Sequence, residues 1–168
     1  MASLREKYPL ESIKPLKKTI ESIWGTLFII VFFGIFYSTF ARAGIEQFLP
    51  IPSISTTIFI LIGIFIVYII LKYIYEIFYM KYYLYDFAKE HLIIKKGVFS
   101  RNEITLPINR LQDVYVDQDI LDRIFGLYDV HVSSATIISG NLSHIDGLNK
   151  ENAQAIKKLI LSGIHKEK

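Results

Sequence analysis

The chain has 168 residues, 52% of them hydrophobic, with 19 Lys/Arg against 16 Asp/Glu and a formal net charge of +3. It has no cysteine, which excludes disulfides, thiolate nucleophiles and cysteine-ligated zinc. Beyond residue 71 the charges nearly balance, 13 basic against 12 acidic, so that half has no bulk attraction for nucleic acid and no nucleic-acid partner is expected.

Residues 1–22 form a polar segment, expected on the cytoplasmic side and interrupted by Pro9 and Pro15. Leu10, Ile13 and Leu16 recur at helical spacing, which fits a short amphipathic stretch lying on a membrane. A frayed terminus fits the same residues.

Two apolar runs without a charge follow, Ile23 to Ala41 (19 residues) and Ile54 to Leu71 (18 residues). A bilayer core takes about 20 apolar residues in helix. The pattern predicts a transmembrane helical hairpin that, with an interfacial extension, fills residues 23–82. Ala41-Arg42-Ala43 resembles a signal cleavage site, but the run before it exceeds the apolar core of a signal peptide, about 7–15 residues. Trp24 reads as an interface anchor, and Gly34 with Ser38 as a small-residue pair for helix packing. Gly44, Pro50 and Pro52 suit a turn between the runs.

Basic residues fix the expected orientation. Arg5, Lys7, Lys14, Lys17 and Lys18 precede the first run, and Lys72, Lys81, Lys89, Lys95 and Lys96 follow the second, whereas the connector has only Arg42. This asymmetry places both termini in the cytoplasm of a multi-pass protein of the cell membrane. Seven of the 11 tyrosines lie between Tyr68 and Tyr85. Tyr73, Tyr75, Tyr79, Tyr82 and Tyr83 are expected as an interfacial belt, with an aromatic ligand cage as the alternative.

From residue 83 the period changes to alternation. Strands are expected at Tyr83–Phe87, His91–Phe99, Glu103–Ile108, Gln112–Gln118 and Tyr128–Ser134. A final hairpin is expected from Ile137 to Ile145 about a Ser139-Gly140-Asn141 turn. A short helix begins at the N-cap Asp119, with Asp122 favouring its first turn, and ends at Gly126. Leu121, Ile124 and Phe125 are expected to face the core. A last helix, from about Lys150 to Leu161 and capped by Asn149, presents Ala153, Ile156, Leu159 and Ile160 on one face.

No constellation of catalytic residues emerges. His91, His131, His144 and His165 lack ligand spacing, and Asp117, Asp119 and Asp122 lack the glycine and terminal glutamate of a calcium loop. No nucleophile elbow, phosphate loop or dinucleotide fingerprint occurs. No catalytic residue, cofactor or metal is therefore expected, and the protein is read as a non-enzyme.

The run Leu92-Ile93-Ile94-Lys95-Lys96-Gly97-Val98-Phe99-Ser100-Arg101 resembles the opening of the bacterial pleckstrin-homology-like domain, also called the membrane-flanked or YdbS-like domain. The likeness continues through Ile104-Thr105-Leu106-Pro107-Ile108-Asn109-Arg110-Leu111-Gln112-Asp113-Val114. It includes Ile120-Leu121-Asp122-Arg123-Ile124-Phe125-Gly126-Leu127, Val130-His131-Val132 and Ile145-Asp146-Gly147-Leu148 before the last helix. It covers about residues 83–163. The resemblance implies a mainly-β PH-like barrel capped by a C-terminal α-helix over residues 83–168, after the two-helix hairpin. It implies a membrane protein without an assigned reaction. Relatives often carry several copies of the domain; a single copy here points to a homo-oligomer or to another membrane protein as partner.

The expected function is a scaffold or accessory subunit of a membrane protein complex, and the alternative is a domain that senses anionic lipid headgroups. The candidate contacts for membrane lipids or a partner are Lys95, Lys96 and Arg101. Each cation close to an anionic leaflet is worth ~1 kcal/mol. Ion pairs of Arg101, Arg110 and Asp113 within the barrel are the structural alternative.

Overall fold

A computed structural model describes residues 3–42, 54–88, 90–134 and 143–166. The expected connector turn, Lys89 and most of the Ile137–Ile145 hairpin lie outside these residues. The chain forms two compact units, residues 18–76 and residues 1–17 together with 77–168.

The first unit holds most of two long helices, α2 (Lys14–Arg42) and α3 (Ile54–Tyr82), each of 29 residues. At ~1.5 Å per residue each is about 44 Å long, enough to cross a bilayer core of ~30 Å. Their apolar windows are 6% and 0% buried, an exposed apolar surface far beyond what soluble monomers carry. Thr57 and the Tyr37 hydroxyl meet at 3.5 Å. A Cβ added to Gly34 would meet nothing within 4 Å, so close helix contact does not require glycine there.

The second unit contains two three-stranded antiparallel sheets, ordered β1-β2-β3 and β4-β5-β6. The strands are β1 (Leu84–Ala88), β2 (His91–Lys96), β3 (Asn102–Pro107), β4 (Leu111–Asp117), β5 (Tyr128–Ser134) and β6 (His144–Leu148). The alternation read from sequence sends Leu92, Ile94, Val114, Val130, Val132 and Ile145 into one core. Helix α5 (Lys150–Lys166) closes this core with Ala153, Ile156 and Ile160, all fully buried; Leu159 faces outward.

Helix α4 (Ile120–Phe125) carries a reciprocal capping box between Asp119 and Asp122 and ends at Gly126, φ +68°. Its orientation differs from the expected one. Asp122 is buried, whereas Ile124 is 68% exposed and Ile120 79% exposed. The buried Asp122 is matched by a lysine from a distant part of the chain, and Ile124 faces outward, whereas Leu121 and Phe125 are half-buried.

That lysine belongs to the N-terminal segment, which is built into the β unit. Helix α1 (Leu4–Lys7) has its own capping box from Ser3 to Glu6, and Leu4 joins the core. The Leu4 N–H donates to Asp86 at 2.9 Å, and Arg5 donates to the carbonyls of Met80 and Lys81. The Glu11 N–H donates to the Gly147 carbonyl at 2.8 Å, and the Tyr85 hydroxyl donates to the Tyr8 carbonyl. Lys14 and Lys17 are each 2% exposed. A lysine is buried only when its ammonium is paired. Lys14 pairs with Asp146 at 3.1 Å; Lys17 pairs with Asp122 at 2.7 Å and Asp119 at 2.9 Å.

Gly147 shows how tightly this segment seats. Its φ is +81°, and an added Cβ would lie 2.5 Å from the Lys14 Cδ. Gly147→Ala is expected to cost about 1–3 kcal/mol from backbone strain, with displacement of Lys14 in addition. Thermal unfolding in detergent checks this; an unchanged midpoint would show that Lys14 moves aside freely.

Candidate functional site

The β2–β3 hairpin positions the three cations singled out from sequence. Its register pairs Lys95 with Glu103 and Lys96 with Asn102, and the tip runs through Gly97 to Arg101. Gly97 has φ +113°, and a Cβ there would fall 1.9 Å from the Ser100 carbonyl oxygen. Only glycine permits this turn.

Alternation then sends the two lysines to opposite faces. Lys95 is half-exposed and pairs with Glu103 at 2.9 Å, a surface contact worth about 0–1 kcal/mol. Lys96 points inward and is 6% exposed; its ammonium lies 5.1 Å from the centre of the Tyr83 ring. The Arg101 guanidinium lies 5.5 Å from the centre of the Tyr82 ring, a cation–π arrangement. All three cations, with Tyr82, Gly97 and Glu103, line one groove of about 410 Å³. Arg101 makes no ion pair among the described residues, so its fork of N–H donors suits an oxyanion. Arg110 and Asp113 are both exposed, and the ion pair considered between them does not form.

Behind the groove lies a buried polar cluster that periodicity does not reveal. Tyr83, expected in the interfacial belt, is fully buried. Its ring lies 4.2 Å from the Lys14 ammonium as well as near Lys96, and its hydroxyl donates to the His144 carbonyl at 2.7 Å. Burial, with the nearby Asp146 charge, raises the Tyr83 pKa well above its ordinary value. Burial also raises the Asp129 carboxyl to about 6, helped by the charges of Asp146 and Asp122. It lowers His144 to about 4, helped by Lys96. Burial works against the Asp119 carboxylate too, yet the Asp122 N–H and Lys17 hold its pKa below the ordinary value.

On the second sheet, Tyr115, His131 and His144 form a stacked ladder with centroid spacings of 4.9 and 5.4 Å. Asp117, Asp129 and His131 bring one potential ligand atom each within 4.8 Å of one another. His131 Nε2 already lies 3.1 Å from Asp117 Oδ1, and Asp129 accepts the Gly147 N–H at 2.8 Å. His131 and Asp117 thus pair with each other, while Asp129 binds a backbone N–H.

Two antiparallel sheets closed by a C-terminal helix, next to two helices long and apolar enough to cross a membrane, define a membrane-associated PH-like module. The bacterial PH domain family matches residues 28–164, and the chain belongs to that family. It is also 24% identical over 80 residues to the UPF0699 transmembrane protein YdbT of Bacillus subtilis (strain 168). That match covers 48% of this chain but 14% of the relative, so the chain spans only a small part of the relative's length. No solved structure matches it.

Proposed function

We propose that this protein is a non-enzymatic, multi-pass membrane module whose β unit lies on the cytoplasmic side and whose hairpin groove takes an anionic lipid headgroup. The observation that carries this reading is the convergence of Lys95, Lys96 and Arg101 on one groove beside Tyr82. Tyr82 is the last residue of α3, so the groove adjoins the point where the chain arrives from its second apolar helix. Lys95 and Arg101 present their charge at the surface, and Lys96 adds field from below. Glu103 holds Lys95 in place until an anion competes for it.

The test is lipid retention by the full-length protein in mild detergent, read by native mass spectrometry. With phosphatidylglycerol and phosphatidylcholine supplied equally, the anionic lipid is expected to dominate. Removing Lys95 and Arg101 together, at ~1 kcal/mol each, is expected to reduce that preference about 30-fold. Equal retention of both lipids by the unaltered protein would refute the reading.

A second reading, a scaffold or accessory subunit of a membrane protein complex, draws support from the relative. There the matched stretch is 14% of a larger transmembrane protein, so the module is used beside other parts. Cross-linking and mass spectrometry on native membranes separates the two. A reproducible foreign partner supports the scaffold, and self-links alone indicate a homo-oligomer.

A further inference from the structure

We infer that Asp117, Asp129 and His131, on the outer face of the second sheet, form a binding site for a divalent cation of the zinc class. The inference stands on the β unit alone and depends neither on an anion in the groove nor on a membrane.

Strand register builds the trio. β4 and β5 pair Asp117 with Asp129 and Tyr115 with His131. Side chains alternate along a strand, so these four share one face, and Val114, Val130 and Val132 turn to the core on the other. One potential ligand atom from each of Asp117, Asp129 and His131 lies within 4.8 Å of the other two, and no second such trio occurs among the described residues. His131 Nε2 and Asp117 Oδ1 stand 3.1 Å apart. Neighbouring donors on one zinc, each bound at about 2.0–2.2 Å, are separated by about 3 Å. Asp117 is exposed, so its carboxylate can turn to close the remaining gap.

The trio is held as metal ligands are held. The His131 ring is stacked between Tyr115 and His144, with centroids at 4.9 and 5.4 Å, which fixes the direction of its nitrogens. Asp129 accepts the Gly147 N–H at 2.8 Å. A carboxylate offers about four acceptor positions, so capacity for an ion remains, and outer bonds of this kind orient ligands in metal sites. Charge points the same way. Asp117 and Asp129 are like charges directly opposite on neighbouring strands, a destabilising arrangement. Lys14 and Lys17 bind Asp146, Asp119 and Asp122. His131 faces the pair with at most one positive charge, whereas a divalent cation would balance both carboxylates. One imidazole with two carboxylates suits zinc and its first-row neighbours, and calcium and magnesium favour all-oxygen shells. Three protein ligands leave a position for water.

The test is isothermal titration of the full-length protein in mild detergent, stripped with a chelator, with Zn²⁺. The chain has no cysteine, so thiolates cannot contribute. One ion per chain is expected, and the thermal midpoint is expected to rise as zinc is added. Asp117→Ala and His131→Gln are each expected to weaken binding at least about tenfold, since loss even of an outer-shell partner costs that much. Asp113→Ala removes another exposed carboxylate of β4 and is expected to bind like the wild type. Without zinc, Asp117→Ala is expected to keep its thermal midpoint, because Asp117 is exposed and its pairing there contributes little. Should His131→Gln fail to fold, Asp117→Ala decides alone. A dissociation constant weaker than about 100 μM for the unaltered protein overturns the inference. Undiminished binding by Asp117→Ala does so too, since it would place the ion on other histidines. Equal affinity for Ca²⁺ would overturn the zinc class.

Discussion

Replacing Lys17 with alanine is expected to destabilise the β unit by about 3–5 kcal/mol, the usual consequence of removing one partner from a buried ion pair. The ammonium lies 2.7 Å from Asp122 and 2.9 Å from Asp119. Asp122 is 1% exposed, so no water replaces the lost charge. Its remaining bonds belong to the capping box, Oδ2 accepting from the Asp119 N–H at 3.3 Å and its own N–H donating to Asp119 at 2.6 Å. The damage therefore spreads to the start of α4. The paired change Lys17→Met with Asp122→Asn removes both charges and keeps a cap-capable side chain, and it is expected to recover most of the loss. Protease resistance of the full-length protein in detergent reads both variants. A single variant costing less than about 1 kcal/mol would mean that the pair is solvated like a surface bridge.

Between about pH 4 and 6 the protein is expected to hold nearly constant stability because two opposed titrations cancel. The Asp129 carboxyl moves from 3.8 to about 6 on folding, so the folded chain binds the extra proton over that interval. Its contribution falls as pH rises from 3.8 to 6, to a cost of about 3 kcal/mol above it. His144 moves from 6.5 to about 4, so the unfolded chain binds the extra proton. Its contribution is complete above 6.5 and declines by about 3 kcal/mol as pH falls to 4. Asp129→Asn retains an acceptor for the Gly147 N–H and removes the first slope. That variant is expected to exceed the wild type at pH 7 and then lose stability steadily on acidification. His144→Gln is expected to gain stability as pH falls from 6 to 4. Thermal unfolding across this range decides the matter; an Asp129→Asn profile parallel to that of the wild type would dissolve the balance.

Much of the β unit is legible in the residues because alternation and capping are local. Val114, Val130 and Val132 go inward as their period demands, and the Asp119–Gly126 helix starts and stops where its caps direct. The C-terminal helix runs five residues past the expected Leu161, since Ile160 and Ile164 continue the apolar face onto the core. The three candidate cations also come together, because a hairpin returns residues 95 and 103 to the same height. What stays hidden is long-range. Nothing near Lys14 or Lys17 announces a carboxylate more than 100 positions away, and a lysine in a polar stretch reads as solvated. Tyr83 misleads for the same reason, since a tyrosine after an apolar helix fits a membrane belt until its two cationic neighbours are known. Ile124 faces outward because Asp122, paired with Lys17, takes the inward side of α4.

The Lys14–Asp146 contact joins residues separated by 132 positions. On the ribosome, the early-made partner emerges long before the late-made one, with both apolar helices threaded between them. On the proposed membrane topology, closure of the β unit follows delivery of those helices into the lipid, and the N-terminal segment waits on its own side until then. High sequence separation slows such closure. On that topology, maturation is thereby ordered in time: insertion first, then a late step in which Lys14 and Asp146 meet.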